Sequence, residues 1–174
     1  AGKVDAAIAL ASAAHGAGAD AVKFQIYHTD ALVREVPNRE LLKSCELTPR
    51  EHERVKRHCD AIGIEWMASC FDNDAVDLAI SLRAKTIKIG SGELVNHELI
   101  AHIAERGMPI ILSTGMATLE EIHTAYEVFV GFDAMHPFGS IALLHCVSNY
   151  PTSAEHANLS AIGVLRHDFL CPVG

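Results

Sequence analysis

Two lysines stand inside runs that otherwise read as apolar strand. In Thr86-Ile87-Lys88-Ile89-Gly90-Ser91-Gly92-Glu93 the β-branched residues favour a strand. The run then breaks into Gly-Ser-Gly, with Lys88 ahead of the break, Ser91 inside it and Glu93 after it. Residues without Cβ atoms let backbone amides approach a ligand closely. An ammonium, a hydroxyl and free amides beside a carboxylate make an anion cradle with an acid-base group next to it. The bland alternative is a tight connection after a strand. The same design recurs in Asp20-Ala21-Val22-Lys23-Phe24-Gln25-Ile26, where Lys23 and Gln25 lie one strand period apart and so share a side. A lysine there is costly unless it faces a polar centre. Three further runs end in small polar residues: Ser69, Ser113-Thr114 and Ser148-Asn149.

Elements that could position these groups follow in regular order. Val4 to His15 is alanine-rich with helical spacing and is closed by Gly16 and Gly18. A strand over Asp20–Ile26 follows, then a loop-like stretch from His28 to Glu46 in which Leu41-Leu42 starts a short helical turn. Thr48-Pro49-Arg50-Glu51 combines an N-cap, a proline at the first helical position and a capping-box glutamate. Its helix buries Val55, Cys59 and Ile62, exposes the charged residues of Arg50 to Arg57, and ends at Gly63. The pattern continues with a strand over Ile64–Phe71, a helix capped by Asp72-Asn73-Asp74 and running to about Leu82, and the Thr86–Ile89 strand. A helix over His97–Arg106 buries Leu99, Ile100 and Ile103 and stops at Gly107. The Pro109–Ser113 strand then leads into a second capping box at Thr118 and Glu121, whose helix aligns Leu119, Ile122, Tyr126 and Phe129. A strand over Ile141–Val147, a helix over Ala154–His167 and the start of one more strand at Cys171–Gly174 complete the chain.

Composition sets outer limits. At 174 residues with 49% hydrophobic content the chain can bury a core as one domain. A net charge of −8 argues against nucleic acid or an anionic membrane as partner. No apolar run nears the ~20 residues of a membrane span, and the N-terminus lacks the basic leader and cleavage pattern of a signal peptide. Cys45, Cys59, Cys70, Cys146 and Cys171 are odd in number and lack C-x-x-C spacing, which fits reduced cytoplasmic thiols. Cys70 and Cys146 read as small core residues, and His145, inside a strand, as a satisfied core histidine.

Strands alternating with amphipathic helices predict an α/β fold with a parallel sheet. An open doubly wound sheet and a (β/α)8 TIM barrel compete. No G-x-G-x-x-G follows any strand, and the chemistry-bearing residues all fall at strand C-terminal ends, where a barrel builds its site.

The segments G-A-D-A-V-K-F-Q, E-L-T-P-R-E-H, K-I-G-S-G-E, I-L-S-T-G-M-A-T-L-E-E-I and L-L-H-C-V-S-N-Y-P resemble, in order and spacing, the N-acetylneuraminate (sialic acid) synthase family. The resemblance implies a TIM barrel that condenses phosphoenolpyruvate with an open-chain N-acetylated amino sugar, such as N-acetylmannosamine, to a nonulosonic acid. It implies Lys23, Gln25, Ser69, Lys88, Ser91 and Ser113 as substrate-binding donors, with Ser69 where the family usually has threonine. Ser148 and Asn149 would line the shared pocket. Glu93 and Lys88 would serve at the reacting centre. A divalent metal, manganese or magnesium, and a homodimer are implied for the complete enzyme.

Departures from the family pattern give further expectations. The chain starts at Ala1-Gly2, past the family's first strand, and its insertion near Pro37-Asn38 is short. The expected arrangement over residues 1–174 is an incomplete barrel of strands two to six and the start of seven, without the family's antifreeze-like domain. The metal-binding histidines would lie in the later strands, so no ligand is expected here and this stretch alone should be inactive. Two rivals stand beside this reading. Another phosphoenolpyruvate-dependent synthase would read a phosphorylated sugar and need a second basic cluster, which the sequence lacks. A non-catalytic anion- or sugar-binding fragment would keep only the cradle.

Overall fold

The computed structural model describes residues 4–132 and 140–174, in two units that meet in sequence between Ala84 and Lys85. The first unit contains α1 (Val4–Gly16), β1 (Ala21–Ile26), α2 (Thr29–Leu32), α3 (Arg39–Cys45), α4 (Pro49–Ile62), β2 (Glu65–Cys70) and α5 (Asn73–Ser81). β1 and β2 are parallel, with Lys23 opposite Met67 and Gln25 opposite Ser69. Helix α4 starts at the expected capping box: the Glu51 amide donates to the Thr48 hydroxyl, and the Glu51 carboxylate accepts from the Thr48 amide at 2.8 Å. It ends at Gly63, whose φ of 81° is left-handed. Asp72 caps α5 by accepting from the Ala75 amide at 2.7 Å.

The second unit contains β3 (Ile87–Ile89), a 3-10 turn (Ser91–Glu93), α6 (His97–Glu105), β4 (Ile110–Ser113), α7 (Leu119–Phe132), β5 (Ile141–Leu144), a 3-10 turn (Ala154–His156) and α8 (Ala161–Asp168). β4 pairs in parallel with β3 on one side and β5 on the other, and Val173 bridges in parallel to Leu143 as the expected next strand. Alternation sorts the strand residues. Ile87, Ile89, Ile110, Leu112, Ile141 and Leu143 are buried, whereas Lys88, Ile111 and Ala142 are opposite one another on the other side. α6 packs on α7 through a core that includes Ile100, Ile103, Ile122 and Phe129.

The fold is therefore α/β, with parallel strands alternating with helices. Among the described residues no helix is long and apolar enough to cross a membrane, and all five cysteines are free.

Four local expectations are corrected. β5 stops at Leu144 rather than Val147: the last ladder bonds run from the Thr114 amide to the Leu144 carbonyl (2.9 Å, with the Thr114 hydroxyl at 3.1 Å) and from the His145 amide to the Gly174 carbonyl, and residues 145–147 are no longer strand. The expected helix over Ala154–His167 is split by Asn158, whose φ is 42°, so that only Ala161–Asp168 is α-helical. Leu119 is exposed in the first turn of α7, and Ala125 joins Ile122 and Phe129 on the buried stripe. His52 is not on the solvated face of α4 but fully buried, edge-on to Trp66 of β2 at 6.2 Å between ring centroids.

Neither ring nitrogen of His52 has a hydrogen-bond partner. Burial lowers its pKa from 6.5 to about 4, against a small opposing pull from Glu51. The unfolded chain then binds a proton below 6.5 that the folded chain refuses until about 4, so stability falls as pH drops through that window. The expected loss is on the order of 3 kcal/mol by pH 4. Urea denaturation from pH 7.5 to 4 should show this slope, and His52→Phe should flatten it; an unchanged slope in the variant would remove His52 as its source.

Candidate functional site

In the second unit the residues expected to make the cradle meet where β3 and β4 end. Lys88 Nζ donates to Ser113 Oγ and to the Ile89 carbonyl, each at 2.6 Å. Lys88 is half-buried between the fully buried Ile87 and Ile89, and Ser113 is buried, so this ammonium is held by fixed oxygens. Strand pairing makes the contact: Lys88 is opposite Ile111, and Ser113 lies two residues further along the same side.

The next contact joins the three loops after β3, β4 and β5. The Gly115 amide donates to Ser91 Oγ at 3.0 Å. A Cβ on Gly115 would sit 2.8 Å from both Ser91 Oγ and Ser148 Oγ and 3.1 Å from the Cys146 carbonyl. Only a glycine allows that approach. Gly90 and Gly92, which the sequence singles out, have no such neighbour and no left-handed φ. With open space where a Cβ would stand, the protein itself does not demand glycine there.

Glu93 ends the 3-10 turn half-buried, and its Oε2 accepts from Asn96 Nδ2 at 3.2 Å. Asn96 in turn caps α6 by accepting from the Leu99 amide. The carboxylate is thus oriented by a helix cap. Asn149 is exposed, and its side chain makes no hydrogen bond among the described residues. The structure brings together Lys88 with Ser113 and Ser91 with Ser148, and leaves Asn149 outside both pairs.

Lys23 and Ser69 form a separate cluster in the first unit. Lys23 is exposed as a residue, but its Nζ donates to Ser69 Oγ at 3.0 Å and desolvation of the ammonium there holds its pKa below the usual lysine value. Gln25 is exposed beside it, and both line a recess of about 310 Å³ together with Tyr27 and Cys45.

Two cysteines separate sharply. Cys70 is core, its thiol pushed up to about 12 by burial and by Asp72, and is inert as a nucleophile. Cys146 is not the plain core residue expected: it is half-buried, and its thiol donates to Ser113 Oγ at 3.3 Å. The signal for it is register, since Ser113 is opposite Leu144 and Cys146 is two residues beyond on the same side. His145 is hydrogen-bonded through Nε2 to the Ala157 carbonyl at 2.7 Å, but it lies just past the end of β5 and is half-buried rather than a core residue inside the strand. It also lines a recess of about 360 Å³ with Thr114, Cys146, Met116 and Val164. Among the described residues no three histidine, cysteine or acidic side chains converge as a metal ligand set.

Residues 10–174 match the model of the NeuB family. The chain belongs to the NeuB family. Members similar to it include N,N'-diacetyllegionaminic acid synthase of Legionella pneumophila, 36% identical over 99% of this chain and 53% of that protein. Pseudaminic acid synthase of Campylobacter jejuni is 31% identical over 100% of this chain and 54% of its own length. The crystal structure of sialic acid synthetase from Leptospira borgpetersenii with citrate superposes with a TM-score of 0.92 at 32% identity, covering 99% of this chain and 59% of that one. The chain spans about half the length of these NeuB relatives.

The contact at Gly115 yields a direct test. Gly115→Ala should destabilise the protein by about 1–3 kcal/mol, because the methyl group forces apart two hydroxyls and a backbone carbonyl. Gly92→Ala, with open space around it, should cost under about 1 kcal/mol. Chemical denaturation of both variants checks the order, and equal costs would mean that the Gly115 approach is not tight.

Proposed function

We propose that this chain is the phosphoenolpyruvate-binding part of a nonulosonic acid synthase, built as strands two to six and the start of seven of a (β/α)8 barrel. The observation that carries the reading is the Lys88 ammonium fixed on Ser113 at the end of β3, with Ser91 held beside it by Gly115. Sequential parallel pairing of β3, β4, β5 and Val173 supports the barrel, since each strand adds on the same side as the last. The relatives' names support the substrate class, and citrate bound to one relative is in keeping with anion recognition.

Phosphoenolpyruvate carries about three negative charges, which favours ammonium point charges supplemented by hydroxyl and amide donors. Lys88, Ser91 and Ser113 are proposed to hold it, with Ser148 at the rim and Asn149 free to meet substrate. Lys23, Gln25 and Ser69 are assigned to the same ligand on the strength of the motif match. In the reaction, C3 of phosphoenolpyruvate attacks the aldehyde carbon of the N-acetylated amino sugar and a carbon–carbon bond forms. The aldehyde oxygen takes a proton and becomes a hydroxyl. The oxocarbenium-like C2 is captured by water, the C2–O bond to phosphate breaks, and a ketone and inorganic phosphate result. Glu93, oriented by Asn96, is assigned to hold the sugar or to move that proton.

The implied manganese or magnesium would polarise the aldehyde. The described residues offer no ligand set for it and instead supply anion donors. Free thiols throughout are in keeping with a cytoplasmic reaction.

In the full-length protein, Lys88→Ala and Lys23→Ala should each weaken phosphoenolpyruvate binding by about 1.5–3 kcal/mol by isothermal titration, the scale of a charge-assisted hydrogen bond. Arginine should not restore affinity, because a guanidinium fork does not fit a site shaped for a compact ammonium. Unchanged affinity in both alanine variants would sink the cradle.

For Glu93→Gln, which keeps the acceptor for Asn96 and removes the charge, turnover on N-acetylmannosamine and related sugars should fall at least tenfold while phosphoenolpyruvate affinity holds within about threefold. Unaltered turnover would reduce Glu93 to a turn residue.

A further inference from the structure

The bonding around Ser113 carries one step beyond this reading. A serine oxygen has two acceptor sites and one proton to give. Both acceptor sites of Ser113 are filled from within the second unit: Lys88 Nζ donates at 2.6 Å and the Cys146 thiol at 3.3 Å. With both lone pairs engaged, the hydroxyl proton is left for a third direction. Ser113 is buried, so that proton gains most from an acceptor brought by a ligand.

We propose that Cys146 is a positioning residue for the substrate anion, acting through Ser113: its thiol occupies the second lone pair and commits the serine to donate. The proposal rests on the phosphoenolpyruvate reading for its ligand, but its structural half, a thiol donating to Ser113, stands independently. Cys146 is suited to the task because it is half-buried beside the cradle, and a thiol is a weak donor that competes poorly for the ligand. It neither touches the reacting atoms nor serves as nucleophile in this role.

In the full-length protein, Cys146→Ala should raise KM for phosphoenolpyruvate about fivefold to tenfold, the effect of one ordinary hydrogen bond, with kcat within about twofold. Cys146→Ser keeps a donor in place and should return KM to within about twofold of wild type. On a Ser113→Ala background the Cys146→Ala change should add nothing further, because its route is gone. An unmoved KM, or a full additional loss on that background, overturns the proposal, since a residue that only fills space would lower stability without this coupling.

A second readout needs no ligand. The infrared S–H stretch of Cys146, isolated as the difference between wild type and Cys146→Ala, should lie at the lower frequency of a hydrogen-bonded thiol and move up in Ser113→Ala. A band that stays put overturns the proposal. If wild-type protein neither binds nor consumes phosphoenolpyruvate, the functional reading fails, and this band still decides the role of Cys146.

Discussion

An ammonium half-buried at the end of a three-residue strand is the constraint on which the second unit depends. Lys88 sits between Ile87 and Ile89, both fully buried, and its charge is tolerated because the Ile89 carbonyl and Ser113 Oγ meet it at 2.6 Å. That geometry requires the β3–β4 register to be held without slip. A one-residue shift would turn Lys88 into the helix layer and an isoleucine toward the cradle. What prevents the shift is the burial of Ile110 and Leu112 beside Ile87 and Ile89, together with α6 and α7 packed through Ile100, Ile103, Ile122 and Phe129. The apolar side of the strands therefore sets the position of the polar one, and a mutation deep in the helix layer can disturb the cradle without touching it.

Closeness of the loops is a separate constraint, and it operates at Gly115 rather than at the Gly-Ser-Gly turn. Positive φ is the usual reason for glycine, but Gly115 is absent from the left-handed set, which includes Gly18, Gly63 and Gly107. Its requirement is steric and tertiary: Ser91, Cys146 and Ser148 arrive from two other loops and leave no room for a methyl group. Met116, immediately after it, does take a left-handed φ of 66°, so the backbone accepts local strain next to the point of closest approach.

Features confined to a few neighbouring residues were the legible ones. Both capping boxes depend on residues three apart, and both formed. Lys88 and Lys23 were legible because a charge among β-branched residues breaks the strand pattern, and each found a serine two residues beyond its cross-strand partner. His52 was illegible because its burial depends on Trp66, which arrives from the next strand. The break at Asn158 is illegible for a related reason: a single left-handed residue overrides a run that is continuous in helix propensity. Cys146 could be named as a partner of Ser113 only after the register of β4 and β5 was known.

Net charge and local charge act at different ranges, which reconciles an acidic chain with the anion site proposed at Lys88. At −8 the protein as a whole repels polyanions, yet that field is screened beyond about 8–10 Å in physiological salt. Among the described strands the only cations are Lys23 and Lys88, with Glu65 the only acid, so the strands concentrate positive charge while the helices carry the acidic excess. The anion proposed for Lys88 would meet an ammonium already aligned by Ser113 and the Ile89 carbonyl, so that little reorganisation would remain on binding. The acidic exterior disfavours loose association of nucleic acid or other polyanions. Selectivity for the proposed small anion would then rest on geometry at the strand ends rather than on overall electrostatic attraction.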